Sequence, residues 1–256
     1  MSKANVLLAL QIYSARKFTP LDDQLAIVAR NGYTHIETFG PFHDDPEASR
    51  KQIEAHGLKV RSAHIALDLV IGDTGKAIDI AKALGAKYAI APYLPVDARP
   101  TDATGWRAIG DKLQTAAEIC APHGVSVGWH NHDFEFKALP DGSLPITHLL
   151  GDKLLWEADL AWVARGGGDP AAWIEHYRGR LAAVHVKDIA PAGEKTDEDG
   201  WADVGTGVLP WAKLWALSVE AGAELFVAEH DNPNNFERFA RVSAEAMRKF
   251  AKGEAK

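Results

Sequence analysis

The chain has 256 residues, 46% of them hydrophobic and 25% charged, the composition of an ordinary globular protein and far from disordered or fibrous extremes. Its 35 acidic and 28 basic residues leave a formal charge of −7, which offers no general attraction to nucleic-acid backbones or anionic membranes, so neither is an expected partner. The single cysteine, Cys120, excludes an intramolecular disulfide, and a reducing cytoplasm is the expected compartment.

The opening MSKANVLLALQIYSARK carries an apolar run that breaks at Gln11 with no small-residue cleavage site behind it, and reads as a first strand rather than a targeting segment. From there, short apolar runs alternate with longer amphipathic stretches, the pattern of βα units around a parallel sheet. Strands are expected at 5–10, 34–38, 59–64, 88–92, 125–130, 154–159, 182–188 and 225–230. Helices are expected at Pro20 to Ala29, Pro46 to Ala55, Thr74 to Leu84, Gly105 to Ala121, Ile146 to Leu150, Asp169 to Tyr177, Pro210 to Ala221 and Phe236 to Phe250. Glycines just past these helices, at 32, 57, 85, 124 and 222, act as helix stops. Prolines at 20, 46, 170 and 210 suit first turns. Eight such pairs with no intervening linker predict an α/β fold, a (β/α)8 TIM barrel, as one domain over 1–256. A doubly wound sheet is the rival, but no G-x-G-x-x-G turn follows the first strand. Gly166-Gly167-Gly168 reads as a flexible joint after strand six.

In a barrel, the C-terminal ends of the strands converge on one mouth. Here they end on Gln11, Glu37, His64, His130 to Glu135, Asp159, His185 with Lys187 and Asp188, and Glu229 with His230 and Asp231. Each alone reads as a solvated rim residue. Together, ionisable groups on neighbouring apolar strands must pair, bind metal or shift their pKa values. Carboxylates and imidazole from several strands make a mixed oxygen and nitrogen site for a divalent metal ion, Mn²⁺, Mg²⁺, Co²⁺ or Zn²⁺.

The stretches "NGYTHIETFG", "VRSAHIAL", "WHNHDFEF", "WEADLAWV", "VHVKDI", "VGTGVLPW" and "FVAEHD", in this order, resemble the sugar phosphate isomerase/epimerase superfamily, the xylose isomerase-like TIM barrels. The resemblance implies four metal ligands from strands five to eight. Asp159, His185 and Glu229 match three of them, and Glu135 is expected as the fourth, with His130 or His132 as the alternative. Trp162 stands where ketose epimerases of this kind carry a histidine, and Pro191 where they carry an arginine, which lowers the expectation of a free-ketose 3-epimerase. "VGTGVLPW" also resembles endonuclease IV, but Trp162 and Trp201 occupy positions where that nuclease needs histidine, and the acidic charge points away from DNA.

The resemblance implies a divalent-metal-dependent sugar isomerase or epimerase acting on a keto- or hydroxy-sugar through an enediolate, with Glu229 or Glu135 as general base. The alternative is a lyase or dehydratase on keto-inositols or 3-keto-glycosides, in which the same proton abstraction is followed by β-elimination; a non-catalytic sugar-binding barrel ranks third. Lys187 is expected either to polarise a substrate oxygen or to pair with an acid. His64, Glu37, His130, His132 and Trp162 are expected substrate contacts, and Trp129, Trp201 and Trp211 further apolar walls. The Gly205-Thr206-Gly207 turn is expected to border the site. A small sugar is the expected partner, and a homo-oligomer is left open.

Overall fold

The computed structural model describes residues 6–254. Eight parallel strands close into a barrel: β1 (Leu7–Gln11), β2 (His35–Thr38), β3 (Lys59–His64), β4 (Tyr88–Ala91), β5 (Ser126–His130), β6 (Leu155–Asp159), β7 (Leu181–Val186) and, after the short antiparallel pair β8 (Asp188–Ile189) and β9 (Trp201–Ala202), β10 (Leu225–Ala228). The barrel closes where β10 pairs with β1, Leu7 opposite Leu225 and Leu10 opposite Ala228. Asn5, the expected start of the first strand, lies outside the described residues.

Among the described residues, ten α-helices surround the barrel: α1 (Leu21–Arg30), α2 (Pro46–Ala55), α3 (Leu67–Gly72), α4 (Thr74–Leu84), α5 (Ala103–Cys120), α6 (Pro145–Leu150), α7 (Leu160–Gly166), α8 (Pro170–His176), α9 (Trp211–Glu220) and α10 (Phe236–Lys252). Side chains of Asp45, Asp73, Asp102, Asp169 and Asn235 accept backbone N–H bonds in the first turns of α2, α4, α5, α8 and α10, the donors that a helix cannot satisfy itself. Two helices, α3 and α7, were not expected. Both are short, six and seven residues, and follow closely on the barrel strands β3 and β6, too brief to show a helical period in the sequence. Among the described residues, no helix is long and apolar enough to cross a membrane.

Side chains alternate between the two faces of each strand, so every strand carries two different messages. One face packs on the helices through a continuous core that includes Leu10, Ile36, Val127, Trp129, Trp156, Val184 and Phe226. The other fills the barrel: Leu7, Ala9, Tyr88, Ile90, Leu155, Ala183, Leu225 and Val227 pack together inside it. Continuing that face by steps of two toward the C-terminal end gives Gln11 on β1, His130 on β5, Glu157 and Asp159 on β6, His185 on β7 and Glu229 after β10. The polar mouth is thus the top layer of the same period-two pattern whose lower layers are aliphatic.

Two glycine segments differ from expectation. The Gly166–Gly168 segment is a packed helix end rather than a flexible joint: Gly167 takes φ +92° beyond α7, and a Cβ on Gly166 would meet Phe136 Cβ at 2.6 Å and Asp133 O at 2.9 Å. The Gly205–Gly207 turn closes on a side chain, not on the cavity. Asp188 accepts N–H bonds from Ile189 (2.9 Å), Gly205 (3.0 Å), Gly207 (3.0 Å) and Leu209 (3.2 Å).

Candidate active site

His130, Asp159, His185 and Glu229 each offer a ligand atom within 4.8 Å of all the others. They come from β5, β6, β7 and the end of β10, successive strands around the barrel. Strand register sets the approach, since Asp159 pairs with His185 and His130 with Glu157. A second set, His64, His130, Glu157 and His185, meets the same criterion, so two overlapping donor cages share His130 and His185.

The cluster is buried and densely paired. His185 Nδ1 lies 3.0 Å from Glu229 Oε2, and its Nε2 lies 2.7 Å from Glu37 Oε1 and 3.3 Å from Glu157 Oε1. His64 Nε2 lies 2.6 Å from Glu157 and 3.0 Å from Glu37. Gln11 Nε2 donates to Glu37 Oε1 at 2.8 Å. Lys187 Nζ sits among three carboxylates: Asp231 at 2.7 Å, Glu229 at 3.0 Å and Asp159 at 3.4 Å. Of the two roles expected for Lys187, the structure shows the ion-paired one; its side chain is fully buried beneath Trp162 and Trp201.

These pairings set the protonation states. Burial alone would lower Lys187, but Asp231, Glu229 and Asp159 outweigh it and hold the ammonium above the ordinary lysine range. Burial opposes protonation of His64 too, yet Glu37 and Glu157 push it up to about 10, so the ring is cationic at neutral pH. Burial would raise Glu229, but Lys187 and His185 hold it well below the ordinary carboxylate range. Burial raises Asp159 to about 6 despite Lys187. His130 is driven well below the ordinary imidazole range by burial and by neighbouring His185, and stays neutral.

The donor set suits a divalent cation. Five carboxylates, those of Glu37, Glu157, Asp159, Glu229 and Asp231, face one ammonium; even with His64 and His185 both cationic, two negative charges stay uncompensated, which a single divalent ion would balance. Moreover, His130 Nδ1, Glu37 Oε2 and Glu157 Oε2 are buried without a hydrogen-bond partner, an arrangement that costs free energy unless something else binds there. Neutral imidazole with carboxylate oxygens is a donor mix taken by Zn²⁺ and Mn²⁺.

Glu135 is not brought to this cluster. Its Oε1 accepts from Trp129 Nε1 at 2.9 Å and its Oε2 from the His132 backbone N–H at 2.8 Å. Trp129 and His130 are consecutive on β5 and face opposite sides of the barrel wall, so a carboxylate held by Trp129 is kept on the helix side, and His130 stands on the lumen side instead. Trp129 and Trp211 are buried structural residues, Trp211 Nε1 donating to Lys187 O at 3.0 Å. Trp162, Trp201, His64, His130, His132 and Glu229 line a cavity of about 740 Å³ above the cluster. His132 Nδ1 and Trp162 Nε1 are buried and unpartnered.

Three residues were missed in the sequence. Glu157 sits two positions before Asp159 on the inward face of β6, a period-two signal available in "WEAD". Asn131 ties β5 to β6: its Oδ1 accepts from Trp156 Nε1 (2.8 Å) and Asp159 N (3.0 Å), and its Nδ2 donates to Asp159 O (3.1 Å). His43 lines the cavity with Nε2 buried and unpartnered; only its place soon after strand two could have drawn notice.

A closed parallel barrel with ionisable groups at the C-terminal mouth defines an enzyme-type (β/α)8 architecture. Residues 25–250 match the family model of the xylose isomerase-like TIM barrel, and the chain belongs to that family. A curated relative, inosose dehydratase of Geobacillus kaustophilus, is 26% identical over 195 residues, covering 66% of this chain and 62% of that protein; the match therefore spans less than two thirds of the relative's length. Among solved structures, a sugar phosphate isomerase/epimerase from Parabacteroides distasonis superposes with a TM-score of 0.79 at 23% identity, covering 95% of this chain and 94% of that one. The IolI protein, solved with a bound zinc atom, superposes with a TM-score of 0.76 at 15% identity, covering 98% of this chain and 100% of that one. The family contains sugar isomerases and epimerases as well as dehydratases.

Proposed function

We propose that this protein is a divalent-metal-dependent lyase that removes the proton beside a carbonyl of a cyclic sugar or polyol and expels a β-substituent. The observation that carries this reading is the asymmetry of the cavity floor: the Glu229 carboxylate and the His64 imidazole, whose Nε2 lies 2.6 Å from Glu157 and 3.0 Å from Glu37, both line it, while strand five contributes His130 where a second carboxylate was expected. Asp231 also lines the cavity but is paired with Lys187 at 2.7 Å; with Glu229 as base and His64 as acid the floor suits elimination. A 3-epimerase that works with carboxylates on both faces of the ring needs two bases.

His130, Asp159, His185 and Glu229 are the residues that would hold the metal. A divalent cation bound there supplies Lewis acidity for the negative charge that develops on the substrate carbonyl oxygen. Glu229 takes the proton from the carbon beside that carbonyl, and the C–H electron pair gives an enediolate-type intermediate. The C=O bond then re-forms, the pair shifts to a new bond between the α- and β-carbons as the β C–O bond breaks with its pair on oxygen, and His64 donates its proton to that leaving oxygen. Glu37 and Glu157 keep His64 charged until it is needed, and Trp162, Trp201 and Lys187 close the floor to water. His132 and Trp162 offer their free ring nitrogens to substrate hydroxyls. Dehydration of an inosose, the activity for which the curated relative is named, has this same bond inventory.

A second reading, isomerase or epimerase, is favoured by the 2.6 Å pairing of His64 with Glu157, which would let a proton return to carbon instead of leaving with oxygen. Incubating the metal-loaded protein with keto-inositol and 3-keto-glucoside in D₂O separates the two. Release of water or aglycone with a conjugated product is expected. Deuterium entering an isomer or epimer with no release of the leaving group would overturn elimination, and metal-dependent binding with neither outcome would leave a sugar-binding barrel.

A further inference from the structure

The 740 Å³ cavity is larger than one sugar ring requires, and falls among pockets that enclose drug-sized ligands. Its chemistry is divided. His64, His130, Glu229 and Asp231 belong to the cluster, whereas Leu69, Ile80, Pro92 and Tyr93, with Tyr13 and Phe39, give the rest of the lining, the outer chamber, an apolar side that it shares with the charged Arg16, Asp44, Lys76, Arg165 and Asp199.

Two of these aromatic residues are left in solvent although aromatic rings are usually covered: Tyr93 is 42% exposed and Tyr13 37%. Tyr13 packs edge-on against Phe39 at 5.2 Å. From Tyr93 a run of rings leads inward, to His132 at 5.2 Å, from His132 to Trp162 at 5.3 Å, and from Trp162 to Trp201 at 4.7 Å over Lys187. The outer chamber is therefore continuous with the floor where chemistry is proposed. A second sugar ring would need converging hydrogen-bond partners. Leu69, Ile80 and Pro92 have no polar side-chain atom, so this side of the chamber offers a ring stacking and apolar contact only, and cellobiose binding tests whether the charged side takes a second sugar instead.

We infer that the outer chamber is a subsite for a flat apolar group, the aromatic aglycone of a glycoside whose sugar ring enters the deep end. The inference rests on the lyase reading for which part of the substrate leaves, but not for the binding itself: the aromatic group would be the part released, which explains an open mouth next to the bond that breaks.

The test is binding of phenyl β-glucoside, methyl β-glucoside and cellobiose, none of which carries the keto group needed for elimination, to the metal-loaded wild type and to Tyr93→Ala and Leu69→Gln variants. Tryptophan fluorescence or calorimetry reads the affinities. Phenyl glucoside is expected to bind about tenfold or more tighter than the other two, from ring stacking and apolar burial, and each substitution is expected to cut that preference to about threefold or less. Equal affinities for phenyl and methyl glucoside, no phenyl glucoside binding, or tightest binding of cellobiose would each overturn the subsite. Turnover of the 3-keto derivatives is read separately. A phenyl preference without elimination would remove the lyase reading and leave the aromatic subsite supported.

Discussion

Trp129 donates its indole N–H to Glu135 at 2.9 Å, and this bond holds the carboxylate on the helix side of the wall whose lumen side is occupied by the very next residue, His130. The consequence is a test of ligand identity. His130→Ala is expected to weaken divalent-ion binding by at least about 100-fold, whereas Glu135→Gln should retain one ion per chain at near wild-type affinity. Metal content after dialysis and titration with Mn²⁺ or Zn²⁺ measure both. Loss of the ion in Glu135→Gln with retention in His130→Ala would reverse the assignment.

Glu135 also predicts a pH dependence of stability. Burial raises its pKa to about 8, against the pull of the His132 N–H and Trp129. A carboxyl with a raised folded pKa binds its proton more tightly in the folded state. Its contribution is therefore complete below the unfolded value near 4.5 and is lost as pH rises toward 8. Between those limits, wild-type stability should fall relative to Glu135→Gln by up to about 1.4 kcal/mol per pH unit. Denaturant melts of both proteins at pH 5, 6, 7 and 8 give the difference; parallel curves would refute the shift.

Glu198 behaves in the opposite sense. Burial would raise it, but hydrogen bonds from Arg238, the Asn234 N–H and Lys195 lower it to about 2, and Arg238 also pairs with Asp203 at 2.8 Å. This depressed carboxyl contributes stability above its unfolded pKa near 4.5 that is lost as pH falls toward 2. Arg238→Ala should destabilise the protein by roughly 2–3 kcal/mol at pH 7 and by much less near pH 3. Hydrogen exchange should show the loosening first between residues 195 and 204, which Arg238 ties to α10.

Lys187 is the one ammonium among Asp159, Glu229 and Asp231. Lys187→Met removes it and leaves the buried Asp159 and Glu229 facing each other and the half-buried Asp231, a change of the kind that costs about 3–5 kcal/mol. Added divalent ion should recover part of that loss, so the rise in Tm on saturation should be larger for Lys187→Met than for the wild type. An equal rise in both proteins would mean that the ion does not share the carboxylates with Lys187.

Asp188 receives four backbone N–H bonds at the base of the 203–209 turn. Asp188→Ala strands those donors and should cost about 3 kcal/mol or more. Thermal unfolding checks the size of the effect, and amide exchange at Gly205, Gly207 and Leu209 its location.

Barrel architecture was legible in the chain because it depends on local signals: eight apolar runs, prolines at helix starts and glycines at helix stops. So was the polar mouth, because in this architecture every strand delivers its last inward residue to the same end. Asp159, His185 and Glu229 could be placed near one another from strand order alone. The fourth position could not. "HNHDFEF" offers two imidazoles and a glutamate on a segment where the strand gives way to a short 3-10 turn at Phe134–Phe136, and period-two reasoning stops where the extended backbone stops. Beyond that point the side-chain directions depend on a partner 6 residues earlier in sequence, Trp129, on the helix side of the wall.

The sequence by itself determined the barrel, the end that bears the site and the types of group gathered there, since strand periodicity and strand order are properties of the chain taken in succession. Only the tertiary structure decided that His130 replaces Glu135 beside Asp159, His185 and Glu229, that Glu157 joins them, and that Lys187 is neutralised by three carboxylates. Those relations are distances across the lumen between residues on different strands, and they follow from barrel register and from which buried polar atoms find partners.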